Sequence, residues 1–165
     1  MPITPFHFGP GAALHALAPG KISFIAFCAA NVLIDVEPLY YMLTAQYPLH
    51  RFFHTVPGAL LIAALTIGFL CIALKLGKRL RLPNVFTWRE LSLSAMTGGA
   101  MLGTLSHVVF DSVMHSDMHP LFPFSEANPL LGLVSLETLH LGCTLAGALG
   151  LAAIMLRKYF LRKLG

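Results

Sequence analysis

"TVPGALLIAALTIGFLCIAL", residues 55–74, is a run of twenty residues without a charge. At 1.5 Å of rise per residue, such a helix is about 30 Å long, the thickness of a bilayer's hydrocarbon core. Two further stretches repeat the pattern. "LSLSAMTGGAMLGTLSHVVF" (91–110) has His107 as its one ionisable group, and "LHLGCTLAGALGLAAIML" (139–156) has His140. The 165-residue chain is 56% hydrophobic and 11% charged, and its mean hydropathy of +0.75 exceeds what a water-soluble core needs. These features predict an all-α integral membrane protein. It would form a single membrane-embedded domain over 1–165, with transmembrane helices over 55–74, 91–115 and 130–156 and the lipid bilayer as its partner.

Toward the N-terminus, two shorter apolar stretches (8–18 and 22–34) flank Pro19, Gly20 and Lys21. Neither is long enough to span, and Pro-Gly is a helix breaker. Residues 8–34 therefore predict a re-entrant helical hairpin preceding the three spans. The alternative is one kinked helix and four spans, because membrane helices tolerate proline where neighbours satisfy the freed backbone groups. The first cation, Lys21, follows the apolar stretch rather than preceding it, so the segment reads as retained and not as a cleaved signal. Cys28, Cys71 and Cys143 stand singly in apolar segments and read as buried thiols, not disulfides.

The net charge of +4 marks sidedness, not nucleic-acid binding. Lys75, Lys78, Arg79, Arg81 and Arg89 lie between the first two confident spans, and Arg157, Lys158, Arg162 and Lys163 lie in the tail, 157–165. By the positive-inside rule both segments are cytoplasmic. The opposite end collects Tyr40, Tyr41 and Tyr47, suited to the headgroup level, and nearly all the acidic residues and histidines.

That distribution directs attention to "GTLSHVVFDSVMHSDMH", residues 103–119. Residues four apart share a helix face, so His107 and Asp111 present an imidazole and a carboxylate together. Ionisable groups inside a span cost about 2.5–3.5 kcal/mol on insertion scales, so they normally face the bundle interior with partners. The candidates at the same depth are His7, Asp35, Glu37, His50, His54, His115, His119, Glu137 and His140. Mixed nitrogen and oxygen donors without thiolate suit zinc, manganese, iron or nickel. The supply exceeds what one ion needs, and two or three divalent ions clamping a phosphoryl group would use it.

His7, Asp35, "HRFFHT" (50–55), "GTLSH" running to His107 with Asp111 four further on, and "PLFPF" (120–124) together resemble the bacterial predicted inner-membrane metal-dependent hydrolases that carry a "LexA-binding" label. The resemblance covers about residues 1–125. Where that family usually has a second aspartate and a histidine, this chain has Glu37 and Pro38, and His50 and His54 stand one residue closer together than the family's pair. Either histidine is then a candidate ligand. The order of ligands is also similar to that of zinc phospholipase C and P1 nuclease, as an analogy and not a sequence match.

The resemblance implies a multi-pass protein of the bacterial inner membrane, its site toward the periplasmic or external side and its C-terminus cytoplasmic. It would use two or three ions, most readily zinc, to hydrolyse a phosphoester or lipid-linked ester. The expected metal ligands are His7, Asp35, His50, His54, His107, Asp111, His115, Glu137 and His140. Asp35, Glu37 and Asp111 carry the catalytic roles, with Glu37 or a bridging carboxylate orienting water. The alternative is a non-catalytic metal-binding membrane protein, a transporter or sensor.

Overall fold

The computed structural model describes residues 5–164, apart from the side chains of Phe86, Arg162 and Leu164. Its regular elements are all helical. A 3-10 turn (Pro5–His7) leads into α1 (Phe8–Leu17), followed by α2 (Phe24–Ile34), α3 (Val36–Leu43), α4 (Val56–Arg79), α5 (Leu93–Met114) and α6 (Leu136–Leu164). Four helical stretches are long and apolar enough to cross a membrane: α2 continued by α3 (Phe24–Leu43), α4, α5 and α6 as far as Leu161. This is the architecture of an all-α, multi-pass membrane protein.

Polar caps set the helix starts. Ser23, Thr55 and Ser92 each accept a hydrogen bond from a backbone N–H three residues on, at 3.2, 3.1 and 3.1 Å. Thr55 is followed by Pro57, which the first turn of α4 accommodates because its missing N–H would be unpaired there anyway.

A hairpin of two half-length arms over 8–34 is not confirmed. The break at Pro19 and Gly20 is present, and α1 packs on α2. The returning arm, however, runs past Asp35 into α3 and reaches spanning length. The alternative's four spans are present, but not its single kinked helix over 8–34: residues 18–23 are non-helical and part α1 from α2, and the interruption within the span falls at Asp35. Pro38 supplies the reason: it has no N–H for the Ile34 carbonyl, so the helix breaks and restarts without leaving its course. At the other end of the chain, α6 starts at Leu136 and not at 130. Residues before it are held as turns by Asn128, which donates to the Ser112 carbonyl at 2.8 Å. The helix then continues through the basic residues of the tail as far as Leu164.

Small residues let the helices approach closely. On α5, a Cβ at Gly99 would meet the Ser23 carbonyl, and one at Gly103 the Phe27 carbonyl, so α5 lies directly on the backbone of α2. Gly9 of α1 and Gly147 of α6 do the same for that pair. α2 and α5 run parallel, with Ser23 donating to the Ala95 carbonyl at 2.8 Å near their starts and Asn31 meeting His107 near their ends. α4 runs against both.

Three apolar layers stack down this bundle. Ile34, Ala59, Ile62, Val108 and Met118 form the one nearest the histidines, Ala30, Ala63 and Ala100 the next, and Ala26, Leu70 and Met96 the last. Outside, Leu60, Leu61, Leu65, Phe69 and Ile72 of α4 and Leu141, Leu145 and Leu149 of α6 are exposed, as a lipid-facing surface requires. The packing brings His7, Asp35, His54, His107 and Asp111 to one end of the bundle. The basic end of α4 and the connection that follows it, Lys75–Arg89, lie at the other.

Candidate metal centre

Four elements deliver side chains to a single point. The turn before α1 brings His7, the junction of α2 and α3 brings Asp35, the 3-10 turn Phe52–His54 with the residues before it brings His50 and His54, and α5 brings His107 and Asp111. His7, Asp35, His50, His54, His107 and Asp111 are all buried.

Asp111 is the centre of the arrangement. Its Oδ1 lies 3.4 Å from His7 Nε2, and its Oδ2 lies 3.2 Å from His107 Nε2, 3.7 Å from His54 Nε2 and 3.8 Å from His50 Nε2. Asp35 Oδ1 approaches two of the same imidazoles, His107 Nε2 at 3.3 Å and His54 Nε2 at 3.8 Å. Asp35, His54, His107 and Asp111 thus form a buried group that could hold a metal ion, and His50, Asp111 and His115 form a second, the donor atoms in each lying within 4.8 Å of one another. Asp111 belongs to both.

The outer nitrogens of three imidazoles face acceptors, two of them within hydrogen-bond distance. His50 Nδ1 lies 2.9 Å from Asp117 Oδ1, and Asp117 Oδ2 accepts the backbone N–H groups of Leu49 and His50 at 2.9 and 3.2 Å. His54 Nδ1 faces Glu37 Oε2 at 3.5 Å, and that oxygen accepts the N–H groups of Arg51 and Phe53 at 3.2 and 2.9 Å. His107 Nδ1 lies 3.0 Å from Asn31 Oδ1, and Asn31 is itself anchored to the Phe27 carbonyl at 2.9 Å. An acceptor on the outer nitrogen directs the other nitrogen inward and raises its basicity, the arrangement usual for metal-ligating histidines.

The inward atoms are correspondingly short of partners. His7 Nε2, His54 Nε2, His107 Nε2 and Asp111 Oδ1 are buried and make no hydrogen bond, and His54 Nδ1 on the Glu37 side makes none either. A buried polar atom without a partner costs about 1–3 kcal/mol, so their convergence calls for a bound group. The donor set, imidazole nitrogen and carboxylate oxygen, fits a divalent transition ion.

Electrostatics separates the three imidazoles outside the spans. Burial, followed by the nearby His107, lowers His7 to about 4, which leaves its imidazole neutral and free to donate a lone pair. Burial and His54 also lower His50, although Asp117 opposes the shift. Burial pulls His54 down, but contacts with Asp35 and Glu37 outweigh it and leave the group raised. With both carboxylates against it, His54 is the imidazole outside the spans most strongly compensated by negative charge.

Not every expected residue arrives. Glu37 stands behind His54, with its Oε2 engaged by backbone. His115 does arrive, in the second ligand group, half-buried and stacked on His50 at 4.4 Å between ring centroids. His119 is exposed, its Nδ1 on the Glu126 carbonyl at 2.6 Å. Glu137 is exposed too, and His140 stacks on Phe6 at 4.3 Å, outside both ligand groups. Two residues that were not candidates occupy supporting places: Asn31 and Asp117. Asn31 precedes Asp35 by four, a same-face spacing in an apolar helix, and Asp117 lies within "HSDMH".

No family model, curated protein or solved structure matches this chain. The functional reading therefore rests on the cluster itself.

Proposed function

We propose that this chain is a membrane-embedded, metal-dependent hydrolase acting on a phosphoester or lipid-linked ester at the outer face of a bacterial inner membrane. The observation that carries the reading is the double use of Asp111, whose Oδ2 faces His54 and His107 of one ligand group and His50 of the adjoining one within a single cluster, while its Oδ1 faces His7. Shared carboxylates between adjoining sites suit a pair of ions acting on one substrate. Asp35, His54, His107 and Asp111 would hold one ion, and His50, Asp111 and His115 the other, with His7 completing the cluster beside Asp111. Ions there would supply Lewis acidity and a lowered pKa for a nearby water.

The protein's own contribution is orientation. Asn31 and Asp117 hold His107 and His50 with their inner nitrogens toward the centre, and Glu37, whose carboxylate stands 3.5 Å behind His54 Nδ1, acts in this scheme as a positioning residue by its charge. Asp35 and Asp111 are the carboxylates placed to accept a proton from water. The apolar layer of Ile34, Ile62, Val108 and Met118 closes the floor and keeps bulk water out from below.

Transport of the metal is the competing reading. The buried residues in the layers beneath the cluster include Thr66, Thr104 and Ser23, and among the described residues the one imidazole or carboxylate within those layers is the half-buried His15, its Nδ1 on the Ile22 carbonyl at 2.7 Å, which by itself makes no chain of groups to lead a cation onward. The test is hydrolysis of bis(p-nitrophenyl) phosphate by detergent-purified protein. Zinc-dependent turnover that falls at least about a hundredfold in Asp111→Asn supports the proposal. Stoichiometric zinc without turnover of this ester, of phosphomonoesters or of phospholipids would overturn it in favour of a sensor or carrier.

A further inference from the structure

Two cavities meet at the end of α5. One, of about 330 Å³, lies on the polar side and is lined by His50, His115, Ser116 and Asp117 together with Tyr47 and Met42. The other, of about 540 Å³, is walled mainly by apolar groups, including Phe6, Val113, Val134 and Leu136. Met114 and His115 line both. A third cavity, of about 400 Å³, shares Pro5 and Phe6 with the second and continues along the seam of α1 and α6 past Cys143, Gly147 and Leu151. From Leu136 to Leu151 this path follows about 22 Å of helix, more than the ~15 Å depth of one leaflet's hydrocarbon.

We infer that the groove along α6 binds one acyl chain of a membrane glycerophospholipid, whose headgroup then enters the polar cavity beside His50 and His115. The inference rests on the hydrolase reading above and names its substrate class. Three observations favour a lipid tail over other apolar occupants. The groove is continuous with the ligand cluster at His115. Its far end lies along a helix that the four-span architecture exposes to lipid, so a tail can enter sideways without leaving hydrocarbon. Its lining passes from mainly apolar to mainly polar at Met114 and His115, as a lipid does between chain and headgroup, with Ser135, His140 and Thr144 the polar side chains on the apolar side. His140, set against Phe6 on the groove wall, is thereby accounted for as part of the tail site's upper rim.

The test is photolabelling of the zinc-loaded protein in phosphatidylethanolamine vesicles that contain a phosphatidylglycerol with a diazirine in one acyl chain. Adduct positions are mapped by mass spectrometry. Adducts are expected to concentrate on Phe6, Val134, Leu136 and Leu151. They should fall at least tenfold in Val134→Trp and in Leu151→Trp, which fill the groove at either end. Leu145→Trp, on the open face of α6, should leave them unchanged. If Val134→Trp does not fold, Leu151→Trp makes the same distinction. Adducts spread evenly over the exposed faces of α4 and α6, or groove adducts indifferent to both substitutions, overturn the inference. Hydrolysis of bis(p-nitrophenyl) phosphate, measured on the same samples, separates the two claims. Turnover without groove adducts removes the tail site alone, whereas groove adducts without zinc-dependent turnover support the tail site and remove the hydrolase reading.

Discussion

Asp117→Asn isolates one half of the proposed site. In the structure one Asp117 oxygen lies 2.9 Å from His50 Nδ1, and the other accepts the Leu49 and His50 N–H groups at 2.9 and 3.2 Å. Asparagine keeps the shape but has one acceptor oxygen where aspartate has two. It can satisfy the imidazole or the backbone, not both, and it carries no charge. Loss of a hydrogen bond to a charged group costs about 1.5–3 kcal/mol. Changes behind a ligating histidine typically weaken metal binding 10–100-fold, about 1.4–2.7 kcal/mol. The two routes give the same magnitude. Zinc titration against a chromophoric chelator, on wild type and variant, should show one binding step weakened by about 10–100-fold. The step assigned to Asp35, His54 and His107, which Asp117 does not touch, should move by no more than about twofold. Equal weakening of both steps, or no change in either, would refute the idea that His50 and His54 serve different ions.

Removing metal should destabilise the fold: zinc at a hundred times its Kd adds about 2.7 kcal/mol to the folded state, so thermal unfolding followed by circular dichroism should shift to lower temperature in excess EDTA and recover on adding zinc. Glu137→Gln and His140→Ala should leave the zinc content at the wild-type value by elemental mass spectrometry, because Glu137 is exposed and His140 rests on Phe6. Gly103→Leu should cost about 1–3 kcal/mol through overpacking, since its first added carbon already meets the Phe27 carbonyl and Asn31. It should also weaken zinc binding by displacing Asn31 from His107, which the same chelator titration would register.

The spans of α4, α5 and α6 were legible because apolar runs of about twenty residues have few other readings, and His107 with Asp111 because a charge in such a run needs a partner. The N-terminal region was harder for a related reason. Asp35 looked like the end of a membrane segment, and only tertiary structure shows His54 and His107 close enough to make its burial tolerable. Helix spacing cannot reveal this, since the three residues come from different elements. The same limit explains Glu137 and His140. They share a face of α6, but α6 packs on α1, and that contact turns His140 onto Phe6 instead of toward Asp111. Asn31 and Asp117 act one step removed from the cluster, where neither residue type is diagnostic, although both lie close in sequence to residues that were singled out.

The most direct test of the central claim is the metal content of detergent-purified protein, by elemental mass spectrometry, for wild type, His107→Ala and Asp111→Ala. Two zinc or other transition ions per wild-type chain are expected. Both variants should lose metal while keeping their helical circular dichroism, with Asp111→Ala losing both ions because its carboxylate serves both ligand groups. A well-folded wild type that takes up no metal even when zinc is supplied, with variants that lose only stability, would contradict the account and make the cluster a buried polar network.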